Sequence, residues 1–234
     1  MTGKASVVEA TQHTAEHLTA ALADLKPRLR GWLHAVTAPL SLVAGIVLIA
    51  LSPTAATRVG SVVFVVTSLL LFTVSAVYHR GTWSPRAWSA LQKFDHANIF
   101  LLIAGSYTPF ALLMLEGRAR TTLLTIAWGG ALAGAAFRLL WRGAPRWIYV
   151  PIYIALGWAA VFYIDDFMDH GSTAVIVLIA TGGVLYTLGG LVYGLQRPNP
   201  FPSWFGFHEV FHAFTIVAFV THYVGVSLAT YSLR

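Results

Sequence analysis

Two histidines four residues apart, His208 and His212, open the last long apolar run of the chain. Residues four apart on a helix share a face, one above the other, so both imidazoles can reach a common ion. Ser75 and His79 repeat that spacing at the end of an earlier apolar run, and Asp95 and His96 open the next. Ionisable groups inside apolar runs are costly to bury and mark sites by default. The chemistry on offer is that of a metal. Neutral imidazoles are good zinc ligands, and His79, His208 and His212 together leave a fourth tetrahedral position open for water. Zinc brings such a water to a pKa of about 7. Asp95 can then orient it and act as its base, while Ser75, one turn deeper, can steady an imidazole or an oxyanion. Each residue also has a plainer role. Asp95 can N-cap its helix, Ser75 can bond its own i−4 carbonyl, and His79 can simply end a span.

The elements that must position these groups are membrane helices. Of 234 residues, 57% are hydrophobic and only 10% charged, against roughly 25% charged in soluble domains. A crossing helix needs about 20 apolar residues. Seven stretches qualify: 31–51, 59–79, 94–115, 121–141, 147–164, 173–195 and 207–230. Short connections with turn chemistry join them, so sequential helices are neighbours in an all-α bundle of seven. Glycines in the fourth and sixth stretches (Gly129, Gly130, Gly134; Gly182, Gly183, Gly189, Gly190, Gly194) suit close packing. Residues 1–30 form a polar tail without a signal-peptide core, and Ala5 to Leu25 reads as an amphipathic surface helix. Its own pair, His13 and His17, reads as solvated.

Lys and Arg number eleven on the N-terminal side of this topology and four on the other. Positive residues favour the cytoplasm, which predicts the N-terminus inside and the C-terminus outside. The net charge of +6 therefore sets topology and does not imply nucleic acid. The acidic segment Asp165 to Asp169 reads as an external loop. Cysteine is absent, which excludes disulfides, thiolate zinc sites and cysteine nucleophiles. Three helices thus bring Ser75, His79, Asp95, His208 and His212 to one inner-leaflet layer. His34 falls at the same level and is placed to support a ligand. His96 points about 100° away from Asp95 on a helix. His222 lies about 21 Å beyond His208, too far to share an ion. His170 belongs to the outer side.

At these motifs the chain resembles the haemolysin III branch of the progestin and adipoQ receptor family. The resemblance is carried by Ser75-Ala76-Val77-Tyr78-His79, by Asp95 in Phe94-Asp95-His96-Ala97, and by His208-Glu209-Val210-Phe211-His212. It extends over essentially the whole chain after the tail. It implies a zinc ion held by His79, His208 and His212, with Asp95 contacting it through water and Ser75 nearby. It also implies kinship with membrane hydrolases of the alkaline ceramidase type, which cut amide bonds in lipids. One departure is Glu209, where the animal receptors carry an amide; its part in any chemistry stays open.

Two functions follow as expectations. One is a zinc-dependent intramembrane hydrolase of lipid amide or ester bonds, with a multi-pass plasma-membrane setting and a membrane lipid as substrate. The other is a receptor-like lipid sensor in which zinc is a structural clasp between spans two and seven. A metallopeptidase reading of His-Glu-x-x-His is weaker, because no downstream carboxylate sits on a span. A bis-histidine haem needs ligands on opposite faces, which one i, i+4 pair does not supply. A secreted pore-forming toxin must first be soluble, which this composition forbids.

Overall fold

The computed structural model describes residues 27–141 and 143–234. The expected tail helix over Ala5–Leu25 lies outside them. The described chain is helical: α1 (Trp32–Ala50), α2 (Ala55–Arg80), α3 (Pro85–Met114), α4 (Gly117–Leu140), α5 (Arg146–Gly157), α6 (Ile164–His170), α7 (Thr173–Leu195) and α8 (Phe207–Tyr231). A 3-10 turn at Ala159–Tyr163 joins α5 to α6, and together they make the fifth of seven helical stretches long and apolar enough to cross a membrane. The protein is a multi-pass membrane protein.

Local chemistry sets the helix ends. Thr54 accepts from the Thr57 amide and Ser172 from the Val175 amide. Ser84 caps α3 with Pro85 at its first position, where a missing N–H costs nothing. This start lies ahead of the apolar stretch predicted for the third span. Asp95 is therefore well inside α3, and its plainer role as a helix cap is excluded.

The fifth span departs from the expected single helix. It breaks after Gly157, and the acidic segment read as a loop is the short helix α6. A break at membrane depth needs partners for the backbone groups it frees. Tyr107 of α3 supplies them: its hydroxyl donates to the Gly157 carbonyl at 2.6 Å and accepts from the Ala160 amide at 3.1 Å.

α3 is the hub, packing against α2, α4, α5 and α8, while α1 against α8 closes the ring. The Tyr223 hydroxyl of α8 donates to the Ala44 carbonyl of α1 at 2.9 Å. Outward faces carry large apolar residues such as Leu40, Val43, Leu140, Trp147 and Phe162, the pattern of a lipid-facing surface. Of the glycines predicted to admit close packing, Gly134 faces the Phe100 ring and Gly182 the His222 ring, whereas Gly129 and Gly183 face open space.

Candidate metal centre

The site is assembled where the end of α2 meets the starts of α1 and α8. Gly31 adopts a left-handed backbone (φ 81°), and a Cβ there would lie 2.6 Å from the Cβ of His79. The chain thus passes against His79 as closely as backbone allows. Arg28 and Leu29 donate backbone bonds to the carbonyls of Ser203 and Trp204. α8 begins at Phe207, so His208 and His212 occupy its first turns on one face.

His79, His208 and His212 are buried and converge, each offering a nitrogen within 4.8 Å of the others. The Nε2 atoms of His79 and His208 are 3.1 Å apart. Two nitrogens at about 2.05 Å from one tetrahedral zinc stand about 3.3 Å apart, so this spacing suits a shared ion. His212 Nδ1 is buried without a hydrogen-bond partner among the described residues, and an orphaned buried acceptor calls for one. The donor set fits a metal ion, and imidazole nitrogens are among zinc's preferred ligands.

Asp95 and Ser75 come to the same place, both buried. Asp95 Oδ2 stands 3.8 Å from His79 Nε2. It is not among the mutually close donors. The Ser75 hydroxyl is buried beside that carboxylate without a hydrogen-bond partner of good geometry. All the residues predicted for the site are therefore brought together. His34 joins them, its ring stacked on that of His212 with centroids 3.8 Å apart.

Glu209 has a different task. One of its oxygens accepts from the Gly206 amide at 2.8 Å, closing the start of α8, and the other accepts from Arg30 Nε. Both oxygens serve the helix start, which removes the general base that the metallopeptidase reading needs. Glu209 is fully buried while Arg30 is partly exposed. Arg30→Ala therefore strands a buried carboxylate and is expected to cost about 3–5 kcal/mol. Chemical unfolding in detergent should show it, with Glu209→Gln markedly milder because the amide keeps the helix-start bond.

Sequence reasoning missed Arg138. It was counted among the charges flanking spans, yet the structure buries it inside α4. Its guanidinium donates to His96 Nδ1 at 2.6 Å and lies over the Tyr149 ring. An arginine only donates, so His96 Nδ1 is the acceptor and its Nε2–H points to the Tyr193 hydroxyl, 3.0 Å away. Tyr193 in turn meets the Tyr149 hydroxyl at 3.2 Å. This network ties α3, α4, α5 and α7 together beside the histidine cluster and, as expected, turns His96 away from it. The signal was present in the sequence: an arginine within an apolar stretch.

An elongated cavity starts at Asp95, Ser75, His208 and His212 and continues between α3, α5, α7 and α8. Its middle is apolar, lined by Ile99, Leu102, Ile103 and Ile154, and its far end holds Ser106, Tyr186 and His222.

Comparison with known proteins agrees with this architecture. Residues 23–223 match the family described as haemolysin-III related. A hemolysin-3 of Bacillus cereus is 32% identical over 188 residues, covering 78% of this chain and 82% of that protein. A hemolysin-3 homolog of Bacillus subtilis (strain 168) is 32% identical over 160 residues, covering 68% and 71%. The adiponectin receptor protein of Drosophila melanogaster is 25% identical over 151 residues, 58% of this chain and 34% of that longer protein. With the family matched along most of its length, the chain belongs to the haemolysin III branch of the progestin and adipoQ receptor family.

Proposed function

We propose that this protein is a zinc-dependent intramembrane hydrolase that cleaves an amide or ester bond in a membrane lipid, in the manner of a ceramidase. The observation that carries the reading is Asp95, a buried carboxylate 3.8 Å from His79 Nε2 yet outside the three-histidine set, at one end of a largely apolar cavity. A structural zinc site is closed by four protein ligands, whereas a catalytic one keeps a position open. His79, His208 and His212 would hold the zinc. When bound, zinc polarises a carbonyl and lowers the pKa of water at its open position.

The remaining work belongs to the chain. Asp95 takes a proton at its carboxylate from the attacking water and returns it to the leaving amine or alcohol. Ser75, buried beside Asp95 with its hydroxyl otherwise unpartnered, is placed to turn and donate to the carboxylate. The apolar middle of the cavity receives the acyl chain and keeps bulk water out.

The second reading, a lipid sensor with zinc as a clasp, draws on the way the three histidines join α2 to α8. The deciding experiment is lipid mass spectrometry on purified protein supplied with ceramides, N-acyl lipids and phospholipid esters, with and without a chelator. Chelator-sensitive product from any class is expected; no product from all three with full zinc would leave the sensor.

The site lies in the inner leaflet of the plasma membrane in this proposal. Removing buried Arg138 from the charge count leaves ten Lys and Arg on the N-terminal side against four, so the bias persists. A reporter active only in the cytoplasm is expected to be silent when fused after Arg234 and active at the N-terminus. The opposite pattern would invert the topology.

A further inference from the structure

The far end of the cavity has its own unanswered hydrogen-bond demands. His222, only 8% exposed, places Nε2 3.2 Å from the Ile179 carbonyl. A carbonyl only accepts, so Nε2 carries the proton and Nδ1 is left as a lone pair, and it has no partner. The Tyr186 hydroxyl is also buried without a partner of good geometry, its ring centroid 5.5 Å from that of His222. Ser106, within reach of Tyr186, already donates its proton to the Leu102 carbonyl at 2.8 Å and can only accept. All three side chains line the cavity. The ring of His222 is admitted by Gly182, where a Cβ would lie 2.2 Å from its Cδ2. Any larger residue at that position displaces the ring from the cavity wall.

We infer that Tyr186 and His222 form a second polar subsite, which takes a hydroxyl group carried on the lipid chain, about 15 Å along α8 from His212 and about 21 Å from His208. The chemistry selects the group. A hydroxyl can donate to Nδ1 and accept from Tyr186 at once. A ketone or ester oxygen leaves Nδ1 unanswered, an ammonium brings an unpaired charge into an apolar cavity, and a carboxylate meets the Nδ1 lone pair with negative charge. The polar groups in the stretch between are already answered. Thr215 donates to the Phe211 carbonyl, and Thr187 to the Gly183 carbonyl while accepting from Trp158. The cavity is thus polar at its two ends and apolar between. An extended hydrocarbon, whose tetrahedral zigzag advances about 1.25 Å per carbon, spans that length with roughly twelve to sixteen carbons.

The inference rests on the lipid-ligand reading above, and its test separates the two. The probes are hexadecanoic acid and ω-hydroxyhexadecanoic acid, binding to the full-length, zinc-loaded protein by displacement of a fluorescent fatty acid. A third probe is the isomer with its hydroxyl at mid-chain. Wild type should bind the ω-hydroxy acid about tenfold more tightly than the plain acid, the effect of one to two buried hydrogen bonds. The mid-chain isomer should bind more weakly than either. Tyr186→Phe, which removes a single oxygen, should bring the ω-hydroxy preference to about one, and His222→Phe should do the same. Equal affinity of wild type for the plain and ω-hydroxy acids would mean that an ordered water satisfies His222, and would overturn the subsite while leaving the lipid reading in place. A preference that survives in Tyr186→Phe would overturn it equally. Failure of all three acids to bind would remove both the lipid reading and the subsite.

Discussion

Asp95→Asn is expected to keep its zinc while losing lipid hydrolysis by about 10²–10⁴-fold, the usual worth of a general base. The substitution is nearly isosteric, so the packing of α3 around it is preserved. What changes is basicity: an amide cannot take a proton from water at neutral pH. Retention of metal follows from geometry, since Asp95 is absent from the mutually close donor set while its Oδ2 stays 3.8 Å from His79 Nε2. Zinc content and hydrolysis must be measured on one preparation. Metal lost together with activity would make Asp95 a fourth ligand and favour the clasp. Metal retained with wild-type turnover would move the base elsewhere. Ser75→Ala, which removes only the hydroxyl beside Asp95, should cost less than Asp95→Asn and also leave the metal in place.

The second large effect concerns the metal. Wild type should purify with about one zinc per chain, and the double variant His208→Ala, His212→Ala with essentially none. His79→Ala should also lose it, whereas His222→Ala should keep it, because His222 sits at the other end of the cavity. Anything that binds only the folded state stabilises it, by about 4 kcal/mol at a thousandfold excess over the dissociation constant. The three histidines that would hold it come from α2 and α8. Zinc loss should accordingly lower the unfolding temperature of wild type, and a chelator should have no further effect on the double variant. Full zinc in the double variant would place the metal elsewhere.

The chain's own order of residues determined the class and the number of spans, because lipid demands long apolar runs and leaves little choice of fold. It also determined the histidine set. An i, i+4 pair shares a face wherever its helix goes, and groups at the same membrane depth need only neighbouring helices to meet. That reasoning reached Ser75, His79, Asp95, His208 and His212, and it rightly set His222 apart.

Three matters were settled only by tertiary structure. The break in the fifth span depends on Tyr107, fifty residues away from Gly157, accepting and donating for backbone that no local signal could satisfy. The role of Glu209 depends on Arg30 meeting it across 179 residues, whereas its sequence neighbourhood spelled a peptidase motif. Arg138 and His96 read separately as a flanking charge and a stray imidazole, yet they are partners in one buried network. In each case the group's partner lies on another helix. Periodicity reports which face of a helix is polar; it does not report which neighbour that face will meet, and a buried polar group takes its role from that neighbour.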